Sequence, residues 1–443
     1  MTLPPTHAVA ILAAGKGTRM RSPLPKVLHP LCGRPMLHWV LDQAAVLEPR
    51  KTLLVLGDRS EPVEASAAAF AAPPADGSRP QGPGSMGVVR QEPQLGTGHA
   101  LQCCADELAG GAGAVVVLYG DMPALRPETL LELVQARPEG GASLLVAELE
   151  DPTGYGRILR DPADPERVIG IVEEKDATPE QRALREVNVG VYALPAEGLP
   201  DRLGRLSNDN AQGEYYLTDL VEMLVTDGAA VRAVTLADAR EARGVNTLSQ
   251  LGEARAIVQE RILEEHLAAG VLIEDPATTY IDHGVEIGPG THVLPCTVIR
   301  SGVVVGAGCE VGPFSHLRVG STLEDGAEVG NFTETKKATL GRGVKAKHLS
   351  YLGDVTIGEG TNIGAGTIVA NYDGKAKHHT EIGPQAFVGS GSVLIAPSTV
   401  GRGATTGGGA IVTRGSRIPD GEVWVGVPAR PIRPRDGEEG QDR

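Results

Sequence analysis

The sequence has few aromatic residues, few cysteines and no long apolar run. Phe, Trp and Tyr make up 3% of the 443 residues, and the five cysteines form no C-x-x-C pair. Neither a disulfide framework nor a zinc site is therefore predicted. No stretch approaches the ~18 consecutive apolar residues of a membrane span, and the N-terminus lacks the basic and apolar segments of a secretory signal. We expect a cytoplasmic protein with no membrane contact and with reduced, mostly buried thiols.

Positive charge is also scarce. The chain has 41 Lys and Arg against 56 Asp and Glu, for a net charge of −15. Most of such a surface would repel a long polyanion, so no nucleic-acid partner is expected. One segment is an exception: residues 12–26 read LAAGKGTRMRSPLPK, with four cations and no acid. A local cluster of positive charge in an acidic protein favours a small phosphorylated ligand, such as a nucleotide or a sugar phosphate.

The residues before this loop strengthen that interpretation. The run HAVAILAAG is a short apolar strand that leads directly into glycines. In an α/β sheet, such a junction presents free backbone N–H groups at the carboxyl end of a strand, where ligands bind. A solvated charge cluster and an ordinary tight turn are the alternatives, and GKGT does not complete the Walker A pattern.

The periodicity predicts an α/β region followed by a different architecture. From residue 7 to about 246, apolar strands at 52–57, 114–121 and 141–149 alternate with helical segments at 36–47 and 127–136, which predicts a mostly parallel sheet covered on both faces. Residues 71–85, rich in Pro, Gly and Ser, are predicted to form a long, mobile surface loop. Residues 249–269 are predicted to form a connecting helix that starts at a capping box of Thr247 and Gln250 and stops before Gly270.

Beyond residue 280 the sequence repeats every six residues. An aliphatic residue recurs at this spacing from Ile287 to Ile418, which is the pattern of a parallel β-helix with glycine or asparagine at corners that need a positive φ. The register breaks at 330–339, 353–356 and 370–381. Because a solenoid gains nothing by breaking its own register, we expect the polar residues at these breaks to form a site between coils or subunits.

Two residues are candidates for chemistry on these grounds. His348 lies between the first two breaks and is a natural general base for an ammonium nucleophile, although a histidine in a repeat is often structural. Asp121 lies at the end of the apolar run at 114–121 and could hold Mg²⁺, which prefers oxygen ligands, or could be an N-cap or turn residue. The glycine turns QLGTGHA (94–100) and TGYGRI (153–158) would let the backbone approach a base or sugar closely.

Together these stretches resemble one family, the bifunctional bacterial N-acetylglucosamine-1-phosphate uridyltransferases/glucosamine-1-phosphate acetyltransferases. The resemblance covers residues 8 to about 413. The motifs that carry it, in order, are LAAGKGTRM, LPKVLH, QLGTGHA, YGD, TGYGRI, IVEEKDAT, NAQGEYYLTD and GVN, and then VGNF, KKA, HLSYLGD, NIGAGT and NYDG.

The resemblance implies a Rossmann-like nucleotidyltransferase domain at 1–248, a linker helix at 249–269 and a left-handed parallel β-helix at 270–443 that assembles as a homotrimer. It implies two reactions. The β-helix would acetylate glucosamine-1-phosphate with acetyl-CoA as donor. The N-terminal domain would then couple N-acetylglucosamine-1-phosphate to UTP with Mg²⁺, which releases pyrophosphate and UDP-N-acetylglucosamine.

The resemblance also implies roles for individual residues of the N-terminal domain. Arg19 and Lys26 would neutralise the phosphates during catalysis, and Asp121 and Asn246 would be the protein ligands of Mg²⁺. The residues implied to bind the nucleotide or sugar are Leu12, Ala13, Ala14, Gly15, Gln91, Gly96, Thr97, Tyr119, Gly156, Glu173 and Asn188.

In the β-helix, the resemblance implies that His348 is the general base. Arg318, Lys336, Tyr351 and Asn362 would surround the sugar phosphate. The residues implied to lie along acetyl-CoA are Ala365, Asn371, Tyr372, Lys377, Ser390 and Gly408. The chain departs from the family near its end, where Gly408 stands near the position of an alanine and Gly426 near that of an arginine that contacts coenzyme A.

Two other functions remain as alternatives. The first is a different sugar-1-phosphate nucleotidyltransferase whose β-helix serves only assembly or regulation, which would not need His348, Tyr351 and NYDG. The second is a non-catalytic assembly subunit, which would not need Asp121 together with the Lys26 loop.

Overall fold

The computed structural model describes residues 6–57, 60–72 and 84–432. Most of the predicted loop at 71–85 lies outside these ranges. Contacts divide the chain into two compact units between Ile257 and Val258, inside the helix Leu248–Ala268. None of the described helices is long and apolar enough to cross a membrane.

The first unit contains the predicted sheet. Its seven principal strands lie side by side, with an additional hairpin of two strands at Arg157–Asp161 and Asp164–Val172. The order across the sheet is Val231–Thr235, Ala142–Glu148, Glu186–Pro195, Ala114–Tyr119, Thr6–Leu12, Lys51–Leu56 and Ser85–Arg90. Glu186–Pro195 runs antiparallel to both neighbours, and the other neighbouring pairs are parallel. The prediction of a mostly parallel sheet is confirmed.

Helices cover both faces of this sheet, as the continuous apolar strands require. Along the strand Thr6–Leu12, Val9 and Ile11 join one buried cluster, whereas Ala8 and Ala10 join the other, because successive side chains point to opposite faces. The α-helices are Met36–Ala45, Glu61–Ala71, Thr97–Gln102, Ala105–Leu108, Pro127–Ala136, Pro179–Arg182, Leu199–Gly204 and Asp219–Thr226. The short 3-10 turns are Thr18–Met20, Lys26–Leu28 and Ala239–Ala242, and a small hairpin joins Pro30–Leu31 to Arg34–Pro35.

The connecting helix Leu248–Ala268 has the predicted ends. The Gln250 backbone N–H donates to Thr247 Oγ1 at 3.2 Å, and the Thr247 N–H donates to Gln250 Oε1 at 3.1 Å, which completes the capping box. Gly270 follows the helix at φ 88°, a left-handed conformation that costs glycine little.

The second unit is a parallel β-helix with three faces, and the fold prediction of a left-handed β-helix is confirmed. Successive coils pair in parallel at an offset of 18 residues, as in Val293 with Val311. The first face has strands Leu272–Ile273, His292–Val293, Glu310–Val311, Glu328–Asn331, Lys345–His348, Asn362–Ile363, Phe387–Val388, Thr405–Thr406 and Val423–Val425, with the antiparallel Arg430–Pro431 at its end. The second has Tyr280–Ile281, Val298–Ile299, His316–Leu317, Ile368–Ala370, Val393–Ile395 and Ile411–Val412, and the third has Glu286–Ile287, Val304–Val305, Thr322–Leu323, Thr380–Ile382, Ser398–Val400 and Arg417–Ile418. Glu334–Leu340 and Tyr351–Ile357 run through both of these faces.

The register breaks correspond to coils of unusual length. Glu328 pairs with Lys345, an offset of 17 residues, and Asn362 pairs with Phe387, an offset of 25. The predicted inward residues are buried with one exception, Ile287, which is half-buried.

The corner prediction is only partly correct. Glycine occupies many corners at positive φ, but one corner uses Cys296, Phe314, Phe332 and Leu349, with φ between 47° and 58°. The thiol prediction is correct in outline: the five cysteines, all among the described residues, form no disulfide, and three of them are buried.

Candidate functional site

The strand order reverses beside the first strand of the sheet. From Thr6–Leu12 the chain adds Lys51–Leu56 and Ser85–Arg90 on one side and then returns to place Ala114–Tyr119 on the other side. Open α/β sheets bind ligands in the crevice that such a reversal leaves at the carboxyl ends of the strands. A cavity of about 310 Å³ lies at this point.

Most of the predicted nucleotide-binding residues line this cavity. The predicted residues at its wall are Leu12, Ala13, Ala14, Gly15, Lys26, Gln91, Gly96, Thr97, Tyr119 and Asp121. Gly96 begins the helix Thr97–Gln102 at φ 107°, and an added Cβ there would lie 2.6 Å from the Tyr215 carbonyl oxygen, so this turn requires glycine. Segments separated by more than a hundred residues thus converge on one cavity.

Four lining residues were not predicted individually, and two of them, Gln94 and Glu214, are polar. Gln94 donates from Nε2 to the Ala14 carbonyl oxygen at 2.5 Å and so holds the glycine-rich loop, and Glu214 also reaches the wall. Both belong to quoted motifs, QLGTGHA and NAQGEYYLTD, which was the signal available in the sequence.

The cationic loop surrounds a second, adjoining cavity of about 440 Å³. This cavity shares Ala13, Ala14, Gly15 and Lys26 with the first and is also lined by Lys16 and by residues 22–25. Arg19 is an exposed residue of the turn Thr18–Met20 and lines neither cavity. The loop therefore brings two of its four cations, Lys16 and Lys26, to the cavities.

The two predicted metal ligands lie together. The Val245 N–H donates to the Asp121 carbonyl oxygen at 2.9 Å, which places Asn246 beside Asp121. The Lys26 ammonium forms an ion pair with the Asp121 carboxylate and donates to Asn246 Oδ1 at 3.1 Å. The described residues contain no group of three or more His, Cys, Asp or Glu arranged to hold a metal ion. One carboxylate and one amide oxygen are a donor set that suits Mg²⁺, which usually takes one or two carboxylates and completes its shell with phosphate and water.

The predicted sugar-binding residues line neither of these two cavities, but they lie near one another. The Asn188 N–H donates to the Gly156 carbonyl oxygen at 2.9 Å, and the Asn188 side chain donates to the Tyr192 hydroxyl at 2.6 Å. Glu173 accepts a bond from the Thr218 hydroxyl at 3.2 Å, and burial raises the pKa of this carboxyl group. Burial also raises the pKa of Tyr119, with further contributions from Glu173 and Asp121, so these groups share one electrostatic environment.

In the β-helix, four predicted residues form a column along one corner. The Gly366 N–H donates to the His348 carbonyl oxygen at 3.4 Å, the Gly391 N–H to Ala365 at 2.7 Å, and the Gly409 N–H to Ser390 at 2.7 Å. His348, Ala365, Ser390 and Gly408 therefore occupy equivalent places on four successive coils. His348 is exposed, and its Nδ1 lies 3.2 Å from Asn331 Oδ1. In the tautomer in which Nδ1 donates to this oxygen, Nε2 keeps a free lone pair.

The predicted cations gather near the next corner. Arg318 donates to Glu334 Oε1 at 2.5 Å, and Lys377 lies close enough to Lys336 to lower the Lys336 pKa. Asn371, Tyr372 and Lys377 belong to an inserted hairpin at 371–378.

Tyr351 and Asn362 lie on strands of these coils and not in the column that contains His348. Tyr351 pairs with Glu334, and Asn362 pairs with Lys345 and Phe387. No hydrogen bond or ion pair among the described residues joins His348 to the cation group.

These features define a nucleotide-binding α/β unit followed by a hexapeptide-repeat β-helix. The chain matches the MobA-like NTP transferase domain family over residues 9–257. It is 43% identical to the Bifunctional protein GlmU of Pelobacter propionicus, with 94% of this chain and 95% of that protein aligned. It is 45% identical to the proteins of the same name from Alkalilimnicola ehrlichii and Methylibium petroleiphilum, over 94% of this chain and 93% and 95% of theirs.

The chain belongs to the GlmU family of bifunctional proteins. It is an enzyme of UDP-N-acetylglucosamine synthesis with nucleotidyltransferase and acetyltransferase activities.

Proposed function

We propose that the chain consists of a uridylyltransferase domain at 1–248, a linker helix at 249–269 and a β-helix acetyltransferase domain at 270–443. The two domains catalyse consecutive reactions. In the β-helix, the amine of glucosamine-1-phosphate attacks the thioester carbon of acetyl-CoA, so an amide forms, the carbon–sulfur bond breaks and coenzyme A leaves as a thiol. In the N-terminal unit, a phosphate oxygen of N-acetylglucosamine-1-phosphate attacks the α-phosphorus of UTP, and pyrophosphate leaves. The observation that carries the proposal is the convergence of the predicted residues on the cavity at the strand reversal, in a chain of this family.

In the N-terminal reaction the protein acts mainly by positioning and by neutralising charge. The backbone of residues 12–15 would approach the nucleotide, and Lys26 at the cavity wall would balance the negative charge of the phosphates. Arg19 lines neither cavity and would add its charge from the neighbouring turn. Asp121 and Asn246 would hold Mg²⁺, which would supply positive charge against the phosphates. The Lys26 ammonium contacts the side-chain oxygens of both residues and so draws Asp121 and Asn246 together.

In the acetyl transfer, His348 removes a proton from the attacking amine. The free lone pair that Nε2 keeps when Nδ1 donates to Asn331 supports this role. Arg318 and Lys336 would hold the phosphate of the sugar. The column of Ala365, Ser390 and Gly408 would lie along acetyl-CoA, together with Asn371, Tyr372 and Lys377 of the hairpin 371–378.

The test is a complete synthesis with purified protein. Incubation with glucosamine-1-phosphate, acetyl-CoA, UTP and Mg²⁺ should yield UDP-N-acetylglucosamine, detected by mass spectrometry. Omission of acetyl-CoA should abolish the acetylated product. A product without the acetyl group, or no product, would reject the bifunctional assignment.

We expect the two activities to separate by unit. A fragment of residues 1–269 should convert supplied N-acetylglucosamine-1-phosphate and UTP but should not acetylate. A fragment of 1–248 should melt at a lower temperature, because it loses Arg255, which donates to the Pro30 carbonyl oxygen, and the buried Leu251 and Ile257. Each such apolar side chain contributes roughly 1.5–3 kcal/mol when fully buried. Acetylation by the fragment 1–269 would contradict the division.

We also expect a cytoplasmic homotrimer. Phe314, Phe332 and Leu349 stand at one corner of the β-helix with 52%, 57% and 59% of their surfaces exposed, and the two phenyl rings stack 5.2 Å apart. Adjacent exposed apolar side chains favour a protein interface. The separation of His348 from the cation group supports a site completed by a second subunit. Sedimentation equilibrium should give three times the mass of the chain, and a monomer at micromolar concentration would contradict the prediction.

A further inference from the structure

The inserted hairpin at residues 371–378 accounts for the longest coil among the described parts of the β-helix. Tyr372 and Lys377 form an antiparallel bridge, and the His378 N–H donates to the Asn371 carbonyl oxygen at 2.8 Å. This hairpin carries three of the residues that the proposed function assigns to acetyl-CoA. How it is held in place therefore bears on donor binding.

A single carboxylate organises the turn of the hairpin. Asp373 Oδ1 accepts the backbone N–H groups of Lys375 at 2.9 Å and Ala376 at 2.8 Å, and Oδ2 lies 2.6 Å from His378 Nε2. The pKa of Asp373 lies well below its usual value, because the carboxylate accepts hydrogen bonds from the Ala376 N–H, the His378 side chain and the Lys375 N–H. The turn therefore keeps a negative charge at physiological pH.

An arginine from a later coil reaches this charge. Arg414 Nη1 donates to Asp373 Oδ2 at 3.0 Å, and its Nη2 lies 3.1 Å from His378 Nε2. The Arg414 side chain is 51% exposed, and an ion pair this exposed contributes little to the stability of a whole domain. Its effect should therefore be local, on the position of the hairpin.

A repulsive contact opposes that position. Lys377 lies beside Lys336, and the proximity of the two cations, with Arg318 close by, lowers the Lys336 pKa. Neighbouring like charges would push a free hairpin away from the β-helix. At the base, Asn371 donates to Asp354 Oδ2 at 2.5 Å, but this bond holds only one end. The contact between Arg414 and Asp373 holds the other end.

We propose that Arg414 and Asp373 are positioning residues that hold the hairpin 371–378 against the β-helix, with Tyr372 and Lys377 oriented toward the acetyl donor. The inference depends on the proposed function, in which this hairpin contacts acetyl-CoA. The held hairpin keeps Lys336 and Lys377 together as a preformed site for phosphate groups. Without the ion pair, donor binding must first overcome the repulsion between the two lysines.

The test uses the full-length protein with Arg414→Gln. If this substitution lowers the fraction of molecules with the hairpin held in place to about a tenth, the apparent KM for acetyl-CoA should rise about tenfold with kcat nearly unchanged. Trypsin should also cut after Lys375 and Lys377 several-fold faster, as measured by mass spectrometry. Arg414→Lys, which keeps one donor, should restore part of both effects. Arg402→Gln, at another exposed arginine of the β-helix, should change neither.

Asp373→Asn is the independent variant, and it should reproduce the Arg414→Gln result. The double variant should be no worse than either single one, because both remove the same contact. Unchanged trypsin cleavage would show that the ion pair between Arg414 and Asp373 does not hold the hairpin. Faster cleavage with an unchanged KM for acetyl-CoA would show that holding the hairpin does not position it for the donor. If the wild-type protein fails to acetylate, the proposed function is wrong. The difference in trypsin cleavage between wild type and variants still tests whether the ion pair holds the hairpin.

Discussion

Asp121→Asn should lower the rate of uridylyl transfer by more than about 100-fold and leave acetyl transfer unchanged. The substitution keeps the size of the side chain but removes the only carboxylate of the proposed metal pair. Loss of residues that merely orient metal ligands costs about 10–100-fold, so loss of a charged ligand should exceed that range. Initial rates of both reactions, measured on the same preparation, would provide the comparison.

The metal dependence gives a second measurement for this variant. The Mg²⁺ concentration needed for half-maximal uridylyl transfer should rise, because the cation is held mainly by charge. Asp201→Asn, at an exposed aspartate of the helix Leu199–Gly204, serves as the control and should behave as wild type. Equal loss of both activities in Asp121→Asn would indicate misfolding and would contradict a metal-specific role.

His348→Ala should lower acetyl transfer by about 10²–10⁴-fold, the usual contribution of a positioned general base. The amine of glucosamine-1-phosphate is mostly protonated at neutral pH, so it must lose a proton before it can form the amide. Sugar-phosphate binding should remain nearly intact, because the cations Arg318 and Lys336 are unchanged. Uridylyl transfer from supplied N-acetylglucosamine-1-phosphate should also be unaffected.

A purely structural histidine would behave differently. Its truncation would lower the melting temperature and change the acetylation rate only modestly. His348 is exposed, so its removal leaves no buried cavity and the melting temperature should hardly change. His292→Ala, at a histidine paired with Glu274 on an earlier coil, is the matched control. Acetylation by His348→Ala at nearly the wild-type rate would contradict the role of His348 as general base.

Much of the fold could be predicted because its signals are local or periodic. Alternating apolar runs and helical segments indicated the parallel sheet, and the capping box of Thr247 and Gln250 marked the start of the connecting helix. The spacing of six from Ile287 to Ile418 indicated the β-helix, since each coil places one aliphatic side chain inward from each of its three faces. These patterns depend on neighbouring residues, so they are readable without coordinates.

The candidate site was predictable only in part. Motifs identified Lys26, Asp121 and Asn246 as separate functional candidates. The structure adds that the Lys26 ammonium lies against both oxygens, across 95 and 220 residues of sequence. It also adds Gln94 and Glu214 to the cavity wall and leaves Arg19 outside it. A motif carries the identity of a residue but not the direction of its side chain.

The sequence by itself determined the two-unit architecture, the six-residue register, the positions of its breaks and the family of the protein. Only the tertiary structure decided what the breaks do: two shorten coils to 17 residues, and the third inserts the hairpin 371–378. Only the tertiary structure brought Arg414 to Asp373, 41 positions apart. The physical reason is that each coil brings the chain back to the same face, and the number of residues in a coil depends on the deletions and insertions within it. Which residues face each other on different coils is therefore set by the lengths of all the coils between them and not by the local sequence.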